Sequence, residues 1–244
     1  MIRLDDLQNG FTIWQDPELF CFGVDAVLLA HFPKLKKNDV ICDLGTGFAP
    51  IPLIVRAEAD RRQLPVRITG LEIQDYVAKI ARKSVADNGL SEDDIRIVTG
   101  DIKEAPALLG AGGCSLVLSN PPYMAAEDGL IGANRARAIA RTELLCTLAD
   151  VCAAAGRLLN AGGRFAMIHR PFRMPDIFEE LRKNRLEPKR MRMVCPYADA
   201  APTMVLIEAV KGGKPYLTCE PPLVIYRKDR TYTRELLSIY GRTS

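Results

Sequence analysis

Short apolar runs alternate with amphipathic stretches along most of the chain, a pattern that predicts a parallel β-sheet with crossover helices. Most of the runs are four or five residues long and rich in Val, Ile and Leu, as buried strands are. We expect seven strands, at residues 40–44, 67–71, 95–98, 115–118, 164–168, 191–194 and 203–210. The predicted fold class is α/β, with a doubly wound, mostly parallel, seven-stranded sheet of the Rossmann-like kind.

Helical periodicity fills the intervals between these runs and leaves a segment at each end of the chain. We expect helices at residues 51–59, 75–88, 141–159 and 174–184, the second closed by Gly89. Residues 1–32 contain a possible hairpin around Asn9-Gly10 and a short helix at residues 25–32. The predicted organisation is an N-terminal hairpin and helix over 1–32, one main domain over 33–211, and a loop-rich tail over 212–244 packed on that domain.

The composition of the chain argues against a membrane protein, a secreted protein and a zinc-binding protein. The chain has 244 residues, of which 48% are hydrophobic, and no stretch reaches the eighteen or so apolar residues that span a bilayer. Its first residues lack the profile of a signal peptide. The seven cysteines are scattered and form no C-x-x-C pair, so neither a zinc site nor a disulfide framework is indicated. We therefore expect a cytoplasmic protein without a membrane or metal partner.

The net charge of +3 is unevenly distributed. Residues 1–169 hold 18 Lys and Arg against 21 Asp and Glu, whereas residues 170–244 hold 15 against 9. A basic C-terminal third suggests an anionic partner such as RNA, although a solvated basic surface is the simpler interpretation. The candidate RNA contacts are Arg170, Arg173, Lys189, Arg190 and Arg192.

A glycine-rich turn follows the first strand of the main domain. Gly45 and Gly47 remove side chains where the backbone must approach a ligand closely. The third glycine of a dinucleotide fingerprint is replaced by Pro50, and the carboxylate of Asp43 would repel a phosphate. A dehydrogenase is therefore disfavoured, and a ligand with a positively charged amino-acid moiety fits better.

Three carboxylates end three consecutive predicted strands. Asp43 can accept from an ammonium group, Glu72 from ribose hydroxyls and Asp101 from an adenine amino group. A ligand with these three parts and no phosphate is S-adenosylmethionine. Each residue alone is as readily a cap, a strand terminus or a turn residue. Because the carboxyl ends of parallel strands share one edge of a sheet, we favour the ligand interpretation for all three together.

The most specific motif is Asn120-Pro121-Pro122-Tyr123, directly after the fourth strand. The prolines fix the backbone, so the Asn120 side-chain oxygen and the Pro121 carbonyl can accept both hydrogens of a planar amino group. This raises the electron density on nitrogen, while Tyr123 offers a ring on which a base can stack. In isolation the tetrapeptide could equally be a strand-exit turn. Because it follows three strands whose ends carry the carboxylates expected to bind S-adenosylmethionine, it indicates methylation of an exocyclic amino nitrogen.

These motifs resemble the bacterial tRNA(Val) adenine-N6 methyltransferases, in particular their short members, over nearly the whole chain. The matching parts are residues 20–30, 43–47, Glu72, Asp101, 120–123, 138–143, 169–171, 187–190 and 232–235. The resemblance implies a class I methyltransferase acting on the N6 nitrogen of adenine 37 in tRNA. It implies catalysis by Asn120, Pro121, Pro122 and Tyr123. The implied cofactor-binding residues are Phe22, Asp43, Gly45, Thr46, Gly47, Glu72, Ile73, Asp101, Ile102 and Asn120.

The tetrapeptide leaves other substrates open. It also occurs in enzymes that methylate a glutamine side chain of release factors and, as variants, in guanine-N2 enzymes of ribosomal RNA. An amide and an aromatic amine present the same two hydrogens, so the motif does not separate these. The chain has no large target-recognition domain, which disfavours a sequence-specific DNA enzyme, and a binding module without catalysis would have no need of Asn120. The two histidines, His31 and His169, are expected to be structural.

Overall fold

The computed structural model describes residues 1–19, 21–121 and 146–242. Its main feature is a mixed sheet whose described strands follow the order β10-β8-β9-β7-β6-β3-β4-β5. The strands of this sheet are β3 (Val40–Leu44), β4 (Arg67–Glu72), β5 (Ile95–Thr99), β6 (Cys114–Ser119), β7 (Leu159–His169), β8 (Leu186–Cys195), β9 (Met204–Lys211) and β10 (Thr218–Val224). Only β9 runs antiparallel to its neighbours β7 and β8. The doubly wound, mostly parallel sheet is therefore confirmed.

Helices cover both faces of the sheet. The described helices are α1 (Val24–His31), α2 (Pro50–Arg61), α3 (Asp75–Asp87), α4 (Ala105–Leu109), α5 (Leu148–Leu158), α6 (Met174–Lys183) and α7 (Arg234–Ile239). Successive strand residues point to opposite faces, so Ile41 packs with α1, α2 and α3 whereas Cys42 packs with α5 and α6. This two-sided burial explains the continuous apolar runs in the sequence.

The hairpin expected around Asn9-Gly10 is present and packs on α3. Its strands are β1 (Arg3–Asp6) and β2 (Thr12–Gln15), paired antiparallel. The Trp14 indole N–H donates to Asp87 at 2.8 Å, and the Trp14 backbone N–H donates to the Ser84 hydroxyl at 2.9 Å. The hairpin is thus anchored to the domain through the polar side of α3.

The sheet contains one strand more than the seven predicted. β10 lies in the tail that the sequence analysis treated as loop-rich, and it pairs parallel with β8 at the edge of the sheet. Its register shifts between Glu220 and Leu223, around Pro221 and Pro222. Prolines are tolerated in an edge strand and at an irregularity, where no ladder hydrogen bond is lost. Two strands also begin earlier than predicted, β7 at Leu159 and β8 at Leu186.

Candidate active site

The site lies where the parallel strands β6, β3, β4 and β5 end side by side. Their pairings place the ends of all four strands at one edge of the sheet. A cleft opens at this edge, and residues from the ends of these strands and from α5 line it. The lining residues are Leu44, Gly45, Glu72, Ile73, Gln74, Asp101, Ile102, Ser119, Pro121, Cys146 and Val151. Five of the predicted cofactor-binding residues are therefore brought together here.

The turn after β3 needs glycine for its backbone conformation. Gly45 and Gly47 take φ values of +75° and +57°, in the left-handed region that favours glycine. The turn is held to β4 because the N–H groups of Gly45 and Thr46 both donate to the Leu71 carbonyl at 2.9 Å. The turn therefore exposes backbone without a side chain at the edge of the cleft. Helix α2 begins after it, at Pro50.

Asp43 is buried in β3 without a hydrogen-bond partner for its carboxylate. The residue is 1% exposed, and neither carboxyl oxygen is bonded within the described part of the chain. Burial raises the pKa of Asp43 to about 7, the nearby Thr46 hydroxyl acts against this rise, and the neighbouring Glu72 carboxylate adds to it. An unpaired buried acid is costly, so this residue fits a site that a cationic ligand completes.

Glu72 ends β4 with its carboxylate held across the glycine turn. One oxygen accepts from the Gly47 N–H at 3.0 Å and the other from the Gln74 N–H at 2.9 Å. Burial is the main cause that raises the pKa of Glu72, and these backbone bonds act against it. Each oxygen keeps a further lone pair, so the carboxylate remains able to accept hydroxyl groups.

Asp101 combines the two roles that the sequence left open. One of its oxygens accepts from the Lys103 N–H at 2.9 Å and caps the short 3-10 helix Ile102–Glu104. Asp101 and Ile102 also line the cleft, as does the exposed side chain of Ile73. A cap and a cleft position are thus compatible at this residue.

Asn120 follows β6 and has its amide oriented by a residue from α1. Its Nδ2 donates to Asp25 Oδ2 at 3.1 Å, while its Oδ1 is buried and has no partner within the described residues. The hydrogen bond fixes which amide atom is free to accept. Pro121 lines the cleft beside it. Pro122 and Tyr123, the remaining members of the predicted catalytic set, lie outside the described residues, as does the resembling segment 138–143.

Five of the ten predicted cofactor residues are not in the cleft lining: Phe22, Asp43, Thr46, Gly47 and Asn120. Phe22 lines a second cavity, between the hairpin, α2 and α7, where Tyr232 and Tyr240 also contribute. The Thr46 hydroxyl is buried and unpartnered within the described residues, and its side chain would lie 2.8 Å from a Cβ at position 70. Gly70 in β4 therefore makes room for Thr46 beneath the glycine turn, and the cofactor roles of Phe22 and Thr46 stay predictions.

The candidate RNA contacts have partners within the protein. Arg190 pairs with Glu220 at 3.0 Å and Glu208 at 3.4 Å, and Arg192 pairs with Glu235 at 2.7 Å. Both arginines therefore connect β8 to neighbouring elements. The other three are bonded as well: Arg173 to Asp176, Lys189 to the Lys214 carbonyl and Arg170 to the Thr203 carbonyl. Their RNA-binding roles stay predictions.

Asp25 is the residue that the sequence analysis did not single out. It lies in α1, is 7% exposed, and accepts from the Ala26 N–H at 2.9 Å as well as from Asn120. A single carboxylate in an otherwise apolar helical stretch is the signal that could have identified it. His169 is also buried, and burial lowers its pKa to about 4. It is thus neutral near pH 7, as a structural histidine would be.

No cluster of three or more His, Cys, Asp or Glu residues that could hold a metal ion is found in the described part of the chain. None of the described helices has the length and apolar character needed to cross a membrane.

Comparison with known proteins places these observations in context. The family model of the methyltransferase small domain matches residues 10–185. A tRNA1(Val) (adenine(37)-N6)-methyltransferase of Porphyromonas gingivalis is 31% identical over 192 residues, covering 76% of this chain and 72% of the relative. A protein of the same name from Trichodesmium erythraeum is 28% identical over 229 residues, covering 94% and 92%.

A solved structure supports the fold. The crystal structure of a protein named as a predicted O-methyltransferase from Agrobacterium tumefaciens superposes with a TM-score of 0.69 at 22% identity. The match covers 89% of this chain and 95% of that protein. The Rossmann-like architecture of class I methyltransferases is therefore the fold of this chain.

Proposed function

Because the chain belongs to the methyltransferase small domain family, we propose that it methylates the N6 nitrogen of adenine 37 in tRNA(Val). The protein is an S-adenosylmethionine-dependent methyltransferase. Its relatives from two distant bacteria carry the name of an adenine-37 enzyme of tRNA1(Val). The observation that carries the proposal is the unpartnered Oδ1 of Asn120, held at the end of β6 in an Asn-Pro-Pro-Tyr sequence.

The residues at the cleft fit S-adenosylmethionine. Asp43 offers a buried carboxylate that lacks a cation, and Glu72 keeps free lone pairs for ribose hydroxyls. The apolar side chains of Ile73 and Ile102 provide surfaces for an adenine ring. When bound, the cofactor supplies an electrophilic methyl group on a sulfonium, a good leaving group that requires no metal.

Asn120 acts on the amino group that is to be methylated. An exocyclic amine has its lone pair delocalised into the ring, which makes the nitrogen a poor nucleophile. Asn120 Oδ1 and the Pro121 carbonyl accept its two hydrogens, so that electron density returns to nitrogen and the group becomes pyramidal. A preorganised acceptor of this kind stabilises the transition state more than the ground state. Placement then supplies most of the rate, and the nitrogen, once methylated, loses one of its two hydrogens to solvent as a proton.

Asp25 positions the amide of Asn120. Carboxylate oxygens only accept, so the Asn120 group that faces Asp25 must be the NH₂ donor, as the 3.1 Å contact has it. The opposite rotamer of the amide would bring two acceptors together and is disfavoured. Asp25 therefore presents Oδ1, and not Nδ2, to the substrate.

The test is the identity of the methylated product. The protein is incubated with labelled S-adenosylmethionine and total tRNA from a strain that lacks it, and the labelled nucleoside is identified after digestion. N6-methyladenosine in the anticodon loop of tRNA(Val) is the expected product. A ring-nitrogen or ribose methyl group would contradict the proposal. In parallel incubations with a protein extract and with ribosomal RNA, label in protein would instead support glutamine methylation, and label on guanine N2 the ribosomal RNA alternative.

A further inference from the structure

The β7–β10 half of the sheet presents its own surface at the edge that holds the active site. β7 is parallel to β6, and β8 and β10 run in the same direction because β9 is antiparallel to both β7 and β8. The residues that follow these strands, Arg170, Tyr197 and Tyr226, therefore lie at the same edge as Asn120. A substrate bound at Asn120 can extend along this edge.

Four tyrosines form a continuous series of ring contacts here, which we call the tyrosine ladder. Its members are Tyr197, Tyr226, Tyr232 and Tyr240, with ring centroids 5.7, 5.5 and 6.0 Å apart in that order. Burial raises the pKa of Tyr240 to about 12, with smaller contributions from Tyr232 and from the nearby Asp25 carboxylate. Tyr240 directly follows α7, and α7 contacts α1, the helix that carries Asp25.

The ladder supports a turn that carries exposed cations. The turn is closed by the Arg227 N–H, which donates to the Thr231 carbonyl at 2.8 Å, and by the pairing of Tyr226 with Tyr232. Three exposed basic residues of the turn, Arg227, Lys228 and Arg230, and the exposed first residue of α7, Arg234, are together called the basic turn.

The cations of the basic turn differ from those of β8 in having no internal ion pair. None of the four forms a salt bridge within the described residues, in contrast to Arg190 and Arg192. The two nearby carboxylates have other partners: Asp229 accepts from the Thr231 hydroxyl at 2.6 Å, and Glu235 pairs with Arg192. Arg227 is near enough to lower the pKa of Asp229, behind the Thr231 hydrogen bonds. Most of the positive charge of the basic turn is therefore not neutralised within the described residues and can interact with an external anion.

We propose that the basic turn binds backbone phosphates of the RNA strand that carries the target base, and that the tyrosine ladder holds the turn in place at the same edge of the sheet as Asn120. This inference rests on the proposed function. Unpaired cations next to aromatic side chains are the surface that a nucleic-acid strand recognises, since phosphates bind the cations without reference to sequence. The turn thus contributes affinity and register, and Asn120 selects the reacting group.

The test neutralises the basic turn and compares it with a matched surface. One variant carries R227Q, K228Q, R230Q and R234Q. The control carries K36Q, K37Q, R67Q and R96Q, four exposed cations also without salt bridges within the described residues, located before or at the start of β3, β4 and β5 at the opposite edge. Both variants lose the same charge. Binding of an unmodified tRNA(Val) transcript is measured by fluorescence anisotropy over a salt series.

The basic-turn variant should bind the transcript about ten-fold or more weakly at physiological salt, with a salt slope reduced by about 0.7–0.9 for each phosphate that is no longer neutralised. Its affinity for S-adenosylmethionine and its single-turnover rate at saturating tRNA should stay within about three-fold of wild type. The control should show a much smaller decrease in affinity. Equal decreases in the two variants, or an unchanged affinity and slope in the basic-turn variant, would overturn the inference.

The same proteins distinguish this inference from the proposed function. If wild type binds tRNA through the basic turn but the product is not N6-methyladenosine, the proposed function fails and the docking surface stands. If wild type makes N6-methyladenosine and the basic-turn variant does so with an unchanged KM, the docking surface fails and the function stands. Loss of binding to a protein substrate, with tRNA binding intact, would assign the turn to a protein partner and overturn it as an RNA surface.

Discussion

The two ends of β3 each bury an aspartate, and the protein surrounds them differently. Asp39, just before the strand, is 4% exposed and accepts from the Arg164 guanidinium at 2.8 Å, the Ser115 hydroxyl at 2.6 Å and the Lys36 N–H at 2.7 Å. Asp43, within the strand, is 1% exposed and has no hydrogen-bond partner within the described residues. The two residues are only four positions apart in the chain.

The difference separates a structural carboxylate from a binding one. Buried polar groups in folded proteins are nearly always hydrogen-bonded, because an unmet group loses its hydration without compensation. Asp39 follows this rule and ties the amino end of β3 to β6 and β7. Asp43 and the Asn120 Oδ1 do not follow it within the described residues. Two unsatisfied groups at one sheet edge are better explained by a ligand than by two separate packing faults.

The largest expected effect is that of Asn120→Ala at this edge. The change removes one acceptor at the reacting nitrogen and leaves the carboxylates of the cofactor site in place. Single-turnover methylation should fall by about two orders of magnitude or more, the scale of deleting one preorganised transition-state hydrogen bond. Affinity for S-adenosylmethionine should change little by calorimetry. A variant that methylates tRNA at the wild-type rate would show that the unpartnered Oδ1 of Asn120 has no role in catalysis.

Asp25→Ala should have a smaller effect through the same amide. Without the carboxylate, Asn120 can present either amide atom, and we expect the single-turnover rate to fall by about 10- to 100-fold, the order caused by misplacement of a reacting group. Asp25→Asn keeps an acceptor oxygen and should recover part of the rate. The decisive comparison is the double variant: in an Asn120→Ala background, Asp25→Ala should cost little more. Additive losses would mean that Asp25 affects the rate independently of Asn120.

A smaller effect is expected from pH on cofactor affinity. The pKa of Asp43 is raised to about 7 in the free protein, and an ammonium group beside it would lower that pKa. Below pH 7 the carboxyl must therefore lose a proton on binding, so affinity should rise by up to about ten-fold per pH unit and level off above 7. Calorimetry in buffers of different ionisation enthalpy would detect the released proton. Asp43→Asn should abolish this dependence, and its persistence would assign the proton to another group.

Strand bounds in the cofactor-binding half of the sheet could be predicted from the sequence more accurately than those in the basic C-terminal half. Val40–Leu44 is predicted as observed, β4 and β5 differ by one residue at one end, and β6 differs by one residue at each end, because a buried parallel strand carries its signal in its own apolar run. Asp43, Glu72 and Asn120 could be identified as site residues because each lies at, or close to, the end of a predicted strand. In contrast, β10 was missed because Pro221 and Pro222 resemble a loop, and only its place at the sheet edge makes them tolerable.

The roles of basic residues depend on partners that are distant in sequence. Arg190 meets Glu220 only because β10 pairs with β8, and Arg192 meets Glu235 only because α7 packs beyond that strand. Charge counting cannot distinguish such paired arginines from the unpaired cations at Arg227 and Arg230. Asp25 was not singled out for the same reason, since its partner Asn120 is 95 residues away.

The most direct test of the contrast between the two aspartates is the unfolding free energy of Asp43→Asn and Asp39→Asn at pH 8. The folded-state pKa of Asp43, about 7, lies above its ordinary value of 3.8. The folded protein therefore keeps a proton that the unfolded chain has lost, and its stability falls as pH rises through that interval. At pH 8 without cofactor, Asp43→Asn should be more stable than wild type, on the order of 2 kcal/mol.

Asp39→Asn should instead be less stable by about 3–5 kcal/mol, because it leaves the Arg164 guanidinium buried without its counter-ion. Saturating S-adenosylmethionine should stabilise wild type by about 2.7 kcal/mol at 100 times Kd and Asp43→Asn much less at the same concentration. The predicted result is that Asp43→Asn raises the free energy of unfolding and Asp39→Asn lowers it. Only Asp43→Asn should reduce the stabilisation by S-adenosylmethionine. Destabilisation of both, with equal gains from cofactor, would contradict the assignment of Asp43 to the cofactor site.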